Sequence, residues 1–234
     1  MRSKCIMVAG FPCGGTSCIA GILHNVGVNM GRSAQVPGAK YHEGWISYVY
    51  NPKGQYEDDP SVKLSWAILG GSWLYPKVPE VLPERHQRAL DELVEDHCKA
   101  PLWGLKLPSF SFTGRHFLNA IVPYAEVHLV VVYRDEYVTA EHLSKRHAED
   151  GIRPMAAQSY IGEASRALWR LMGTATHYKV PCTVIHYEDI VGDPPKMVPR
   201  LLAEVFKRWD KPTPEQVQKA IDFVDPTLNH AEPR

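Results

Sequence analysis

The sequence predicts an α/β protein, a three-layer sandwich with a central parallel sheet between helices. Three observations carry this. Four short apolar runs lie at 4–9, 102–107, 127–133 and 181–186, and each ends where a loop or a helical pattern begins. Runs apolar on both faces suit strands buried in a parallel sheet. Amphipathic helical patterns separate or follow them, and this alternation places helices on both faces of the sheet. The third observation is a glycine-rich turn joining the first run to the first helical pattern.

Taken in order, 4–9 is the first strand. Residues 16–25, "TSCIAGILHN", space Ile19, Ile22, Leu23 and Val26 as one face of a helix, with Thr16 or a neighbour as its cap. Residues 31–60 are rich in Gly, Pro, Tyr and charge and read as a long functional loop region. A helix is expected over 61–74, and an amphipathic one over 83–97 with Pro83 at its start. Further helices are expected over 137–147, 155–178 and 196–208, and a short one over 214–224 in a Pro-punctuated tail. With no internal repeat and no linker, one domain over 1–234 is expected.

Lys+Arg and Asp+Glu both number 26, so no general attraction to nucleic acid or to an anionic membrane is expected. No apolar run reaches membrane-spanning length, and the opening "MRSKCIMVAG" reads as a strand rather than a leader. A cytoplasmic setting follows as an expectation. The cysteines are Cys5, Cys13, Cys18, Cys98 and Cys182, odd in number and without zinc-site spacing. They are expected as buried free thiols, and no metal site is expected.

The turn itself is "GFPCGGTSC", Gly10 to Cys18. A strand running through glycines into a helix is an anion cradle: backbone N–H groups converge and the helix N-terminus adds partial positive charge. The amides of Gly14, Gly15, Thr16, Ser17 and Cys18 are the expected donors, with the Thr16 and Ser17 hydroxyls beside them. Against the nucleotide-hydrolase spacing, Gly10 and Gly15 fall correctly, but Thr16 stands at the lysine position. That argues against NTP hydrolysis, which relies on the lysine. A tight turn with no ligand is the plain alternative.

The loop resembles the 5′-phosphosulfate loop of the sulfotransferases, which runs Pro, Lys or Arg, small, Gly, Thr, Ser/Thr. Pro12, Gly14, Gly15, Thr16 and Ser17 match, while Cys13 stands at the basic position. Other segments are similar to bacterial-type members in the same order: "NPKGQYEDD" at 51–59, "LWGLKLP" at 102–108, "VVVYRDEYVTAEHLSKR" at 130–146, "VIHYEDIVGDPP" from 184, and "DPTLNH" at 225–230. The resemblance implies a P-loop NTPase-like sulfotransferase fold. It also implies transfer of a sulfuryl group from 3′-phosphoadenosine-5′-phosphosulfate (PAPS) to a hydroxyl or amine, with no metal required.

On that resemblance, Pro12, Cys13, Gly14, Gly15, Thr16, Ser17 and Cys18 would hold the nucleotide's 5′ end. Arg134, at a strand end, would fork onto the 3′-phosphate. The family has a serine eight residues later. That position holds His142, and Ser144 lies about 200° further round a helix. His142 is therefore the expected substitute donor. Cys13 cannot neutralise the donor, since a thiol is a weak hydrogen-bond donor and a thiolate would repel the anion. Lys106, at another strand end, is the expected replacement, and Glu57 the expected base, with His42 in reserve. Arg134 could instead be a surface arginine paired with Asp135 or Glu136, and Lys106 an exposed sheet-edge lysine. Aromatic residues in 41–75 could line a pocket for a small-molecule or carbohydrate acceptor, or simply pack a core. "YED" at 187–189 reads as a structural marker. Two other readings stay open: an ATP-dependent small-molecule or nucleotide kinase with a degenerate P-loop, with Lys106 replacing the loop lysine, and a sulfotransferase-like domain that binds a nucleotide without turnover.

Overall fold

The computed structural model describes residues 2–31, 56–71, 76–149, 151 and 153–228. Its centre is a four-stranded sheet, ordered β2-β1-β3-β4, with β1 at Ser3–Gly10, β2 at Leu102–Lys106, β3 at Ala125–Tyr133 and β4 at Cys182–His186. All three pairings are parallel. The strands are those expected, to within two residues.

Alternation along the strands sorts the core into two faces. Ile6 and Val8 of β1 and Val130 and Val132 of β3 point into one cluster, packed by α1 (Thr16–Asn25), α8 (Pro194–Val205) and α9 (Pro214–Phe223). Cys5, Met7 and Ala9 of β1 and Val127, Leu129 and Val131 of β3 point into the other. That face is covered by α2 (Asp59–Ile68), α3 (Glu84–His97), α4 (Phe110–Ile121) and α6 (Ala157–Tyr178). Both faces of a parallel sheet are thus buried, as its backbone requires.

The remaining helices are α5 (Glu136–Glu149) and α7 (Tyr187–Gly192). Helix α4 was not anticipated. Its apolar positions Phe110, Phe117, Leu118 and Ile121 are helically spaced, but Ser111, Thr113 and Gly114 between them are buried too, which blurs the contrast of faces. Helix α2 is shorter than the 61–74 expected; it ends at Ile68 and residues 72–75 lie outside the described ones. Thr16 does not cap α1: Gly15 is the N-cap, with φ of 87°, and no side chain caps it. The thiols also differ from expectation. Cys5 is buried, but Cys182 is exposed and Cys13, Cys18 and Cys98 are half-buried.

The order β2-β1-β3-β4 positions the site. From β1 the chain passes to β2 on one side and then to β3 on the other. The carboxyl ends of β1 and β3 therefore flank a topological switch point, where helices diverge and open α/β sheets take their ligands. The glycine turn leaves β1 there, and Arg134 leaves β3.

Candidate active site

Three glycines set the shape of the turn. A Cβ on Gly10 would stand 2.4 Å from the Val132 carbonyl oxygen on the paired strand. A Cβ on Gly15 would stand 2.2 Å from the Tyr187 ring, and its φ of 87° suits glycine alone among common residues. At Gly14 a Cβ would meet the Phe11 carbonyl oxygen at 2.8 Å. Of the amides expected in the cradle, two are already used. Gly14 N–H donates to the Phe11 carbonyl at 3.0 Å, and Cys18 N–H to the Gly15 carbonyl at 3.0 Å. The Gly15 and Thr16 amides make no such backbone bond among the described residues. They are the donors that the start of α1 offers an anion.

Cys13 is held at φ 64°, a left-handed conformation that costs a non-glycine residue about 1 kcal/mol or more. Its side chain packs with Phe11, Met155 and Ile161 against Ala140, Leu143 and Tyr160, an apolar cluster between α5 and α6. Position 13 of the turn is thus filled by a thiol that packs toward neighbouring helices.

Arg134 is 8% exposed, which removes it from the class of surface arginines. It pairs with neither Asp135 nor Glu136. Its Nε donates to Glu188 Oε1 at 3.1 Å, and Nη1 donates to the Cys13 carbonyl at 3.4 Å. Nη1 also donates to His142 Nδ1 at 3.3 Å, and the guanidinium lies 4.9 Å from the Tyr187 ring centroid. An arginine can only donate, so His142 accepts at Nδ1 and keeps its proton at Nε2. The expected pair, Arg134 and His142, is brought together. Asp135 instead caps α5, accepting from the Tyr137 and Val138 amides at 2.9 and 3.0 Å.

The YED segment does more than expected. Tyr187 packs on Gly15 and Glu188 grips Arg134, so the start of α7 braces both the turn and the cation. Burial raises the Tyr187 hydroxyl to about 12, so it stays protonated. The sequence marked this segment but offered no sign of the long-range pairing, which spans 54 positions.

Lys106 ends β2 and is 1% exposed, so it is not a sheet-edge surface lysine. Its Nζ donates to Glu57 Oε1. Burial lowers the ammonium from its ordinary value, Glu57 opposes that shift, and Arg146 adds to it. The two residues expected to carry chemistry are therefore one ion pair. Its carboxylate is placed by its neighbour. Asp58 caps α2 by accepting from Ser61 N–H at 3.0 Å, and lies 3.4 Å from His97 Nε2. His97 in turn stacks on Trp103 of β2, ring centroids 5.0 Å apart. This chain of contacts ties the residue after Glu57 to the strand that carries Lys106. His42 and Glu43, together with 51–55 of the "NPKGQYEDD" segment, lie outside the described residues.

Behind the turn, Gly10, Gly14, Arg134, Thr139 and Ser165 line a cavity of about 30 Å³. That is room for one water rather than a nucleotide. Thr139 Oγ1 is buried there without a hydrogen-bond partner among the described residues. Neither Thr139 nor Arg146 was singled out in the sequence. Thr139, His142 and Arg146 recur at helical spacing on α5, and that periodicity is the signal that could have found them.

No protein-family model matches the chain, and no curated protein matches it. Solved structures do. The sulfotransferase STF1 from Mycobacterium tuberculosis H37Rv superposes with a TM-score of 0.55 at 14% identity, over 95% of this chain and 71% of that one. The sulfotransferase domain of the Synechococcus PCC 7002 olefin synthase gives 0.50 at 14% identity, over 99% and 85%. The chain has the sulfotransferase fold. In that fold its glycine turn, Lys106 and Arg134 all stand at the carboxyl edge of the parallel sheet. No helix among the described residues is long and apolar enough to cross a membrane.

Proposed function

We propose that the protein is a sulfotransferase that moves a sulfuryl group from PAPS to a hydroxyl or amine of a small-molecule or carbohydrate acceptor. One observation carries the reading: two buried cations, Lys106 and Arg134, stand at strand ends on either side of a glycine turn that opens into a helix. A doubly phosphorylated nucleotide asks for such a spread of positive charge, one cation at each anionic end. Arg134, with His142 beside it, meets the 3′-phosphate. The turn and the α1 N-terminus meet the 5′-phosphosulfate.

The transfer then needs little from the protein beyond charge and position. The acceptor's lone pair forms the new bond to sulfur as the bond from sulfur to the bridging 5′-phosphate oxygen breaks. The electron pair leaves with that oxygen, where the Lys106 ammonium offsets it. The acceptor's proton goes to Glu57. The pair brings both tasks to one place, since Lys106 Nζ donates to Glu57 Oε1. Adenosine 3′,5′-bisphosphate and the sulfated acceptor are the products.

The test is release of adenosine 3′,5′-bisphosphate from PAPS with mixtures of hydroxyl and amine acceptors. Protein-dependent release that Lys106→Ala abolishes is the expected result. Tight binding of the bisphosphate without release from any acceptor would favour the reading without turnover.

A further inference from the structure

The turn lacks a basic residue, and a guanidinium from outside it stands beside Cys13. Arg146 Nη1 lies 3.9 Å from Cys13 Sγ. Arg146 comes from α5, four residues after His142, so both project from one face of that helix. His142 meets Arg134, and Arg134 meets the Cys13 carbonyl. The two arginines thus approach the same loop residue, one at its backbone and one at its side chain. Arg146 is also close enough to Lys106 to lower its ammonium's proton affinity, so it shares the electrostatic space of the buried lysine.

Cys13 leaves this room because its thiol packs into the apolar cluster between α5 and α6.

We infer that Arg146 supplies the loop's cation: its guanidinium, delivered by α5, binds the 5′-phosphate end of the nucleotide in place of a basic residue at position 13. The inference rests on the PAPS reading above. It assigns the 5′ end to Arg146 and the 3′ end to Arg134, so each arginine answers for one phosphate.

The experiment compares two ligands by calorimetry: adenosine 3′,5′-bisphosphate, and adenosine 3′-monophosphate, which lacks the 5′ group. Arg146→Ala should weaken the bisphosphate about 10-fold or more, as loss of a charge-assisted contact does, and leave the 3′-monophosphate unchanged. Arg146→Lys should keep part of the affinity, since it restores charge without the fork. Equal bisphosphate affinity in wild type and Arg146→Ala would overturn the inference while leaving the nucleotide site standing. Equal losses for both ligands would overturn it too, by showing that Arg146 only braces the fold. A wild type that binds no bisphosphate would overturn the function proposed above, and this assignment with it.

Discussion

Lys106 and Glu57 form an ion pair in which the lysine side chain is 2% exposed and the carboxylate 15%. Removing one partner of such a pair leaves a charge without compensation in a nearly sealed site, a loss of roughly 3 kcal/mol. Lys106→Met should therefore destabilise the protein by about that much. Adding Glu57→Gln to it should recover part of the loss. Urea unfolding of the two single variants and the double variant checks this. Strictly additive losses would mean that the two side chains do not act as a pair.

The same pair sets an alkaline limit. Lys106 loses its proton below the ordinary lysine value because burial, the largest influence, disfavours the ammonium. Offsetting charge on a leaving oxygen requires the protonated form. Turnover should therefore fall at a pH below the usual lysine range, and Lys106→Arg should move that limb upward in whatever activity it keeps. An unmoved limb would assign the titration to another group.

Gly15 has no tolerance for a side chain. Gly15→Ala combines a left-handed φ of 87° with a contact of 2.2 Å to the Tyr187 ring. The backbone alone costs about 1–2 kcal/mol. Displacing Tyr187 would also disturb Arg134, which lies over its ring. Thermal melting should show the loss of stability, and nucleotide titration a loss of affinity. Gly173, with nothing near its added Cβ, is the control position.

These positions show how unevenly the sequence reports the molecule. The strands were legible because parallel pairing demands residues apolar on both faces, as in "CIMVA" of β1. The strand ends then located Lys106 and Arg134 without any knowledge of contacts. Partnerships were another matter. Glu188 lies 54 positions from Arg134, Cys13 lies 121 from it, and no local periodicity encodes such distances. His142 was reachable because it sits eight residues from Arg134 across a strand-to-helix junction. Arg146 was not legible in the same way, because its approach to Cys13 spans 133 positions.

Away from the site, His128 makes the protein sensitive to acid. Burial lowers it to about 4, with Arg208 adding to the shift and Glu204 opposing it. Its Nε2 lies 2.8 Å from Thr183 Oγ1, and its ring meets Trp209 edge-on at 6.2 Å. The folded state therefore binds fewer protons here than the unfolded chain between the ordinary 6.5 and about 4. The associated stability is fully present above 6.5 and is lost as pH falls toward 4, about 3 kcal/mol in all. Urea unfolding between pH 7 and pH 4 should show this slope, and His128→Gln should flatten it. An unchanged slope would place the acid sensitivity elsewhere.

The central claim is that the turn, Lys106 and Arg134 form a site for a 3′,5′-phosphorylated nucleotide. Its most direct test is calorimetric titration with adenosine 3′,5′-bisphosphate beside ATP with magnesium, at one salt concentration, on wild type and Arg134→Ala. The account predicts micromolar binding of the bisphosphate, no comparable binding of ATP with magnesium, and loss of the bisphosphate affinity in the variant. Binding of ATP with magnesium alone would contradict it in favour of a kinase, and binding of neither ligand would deny the site its nucleotide.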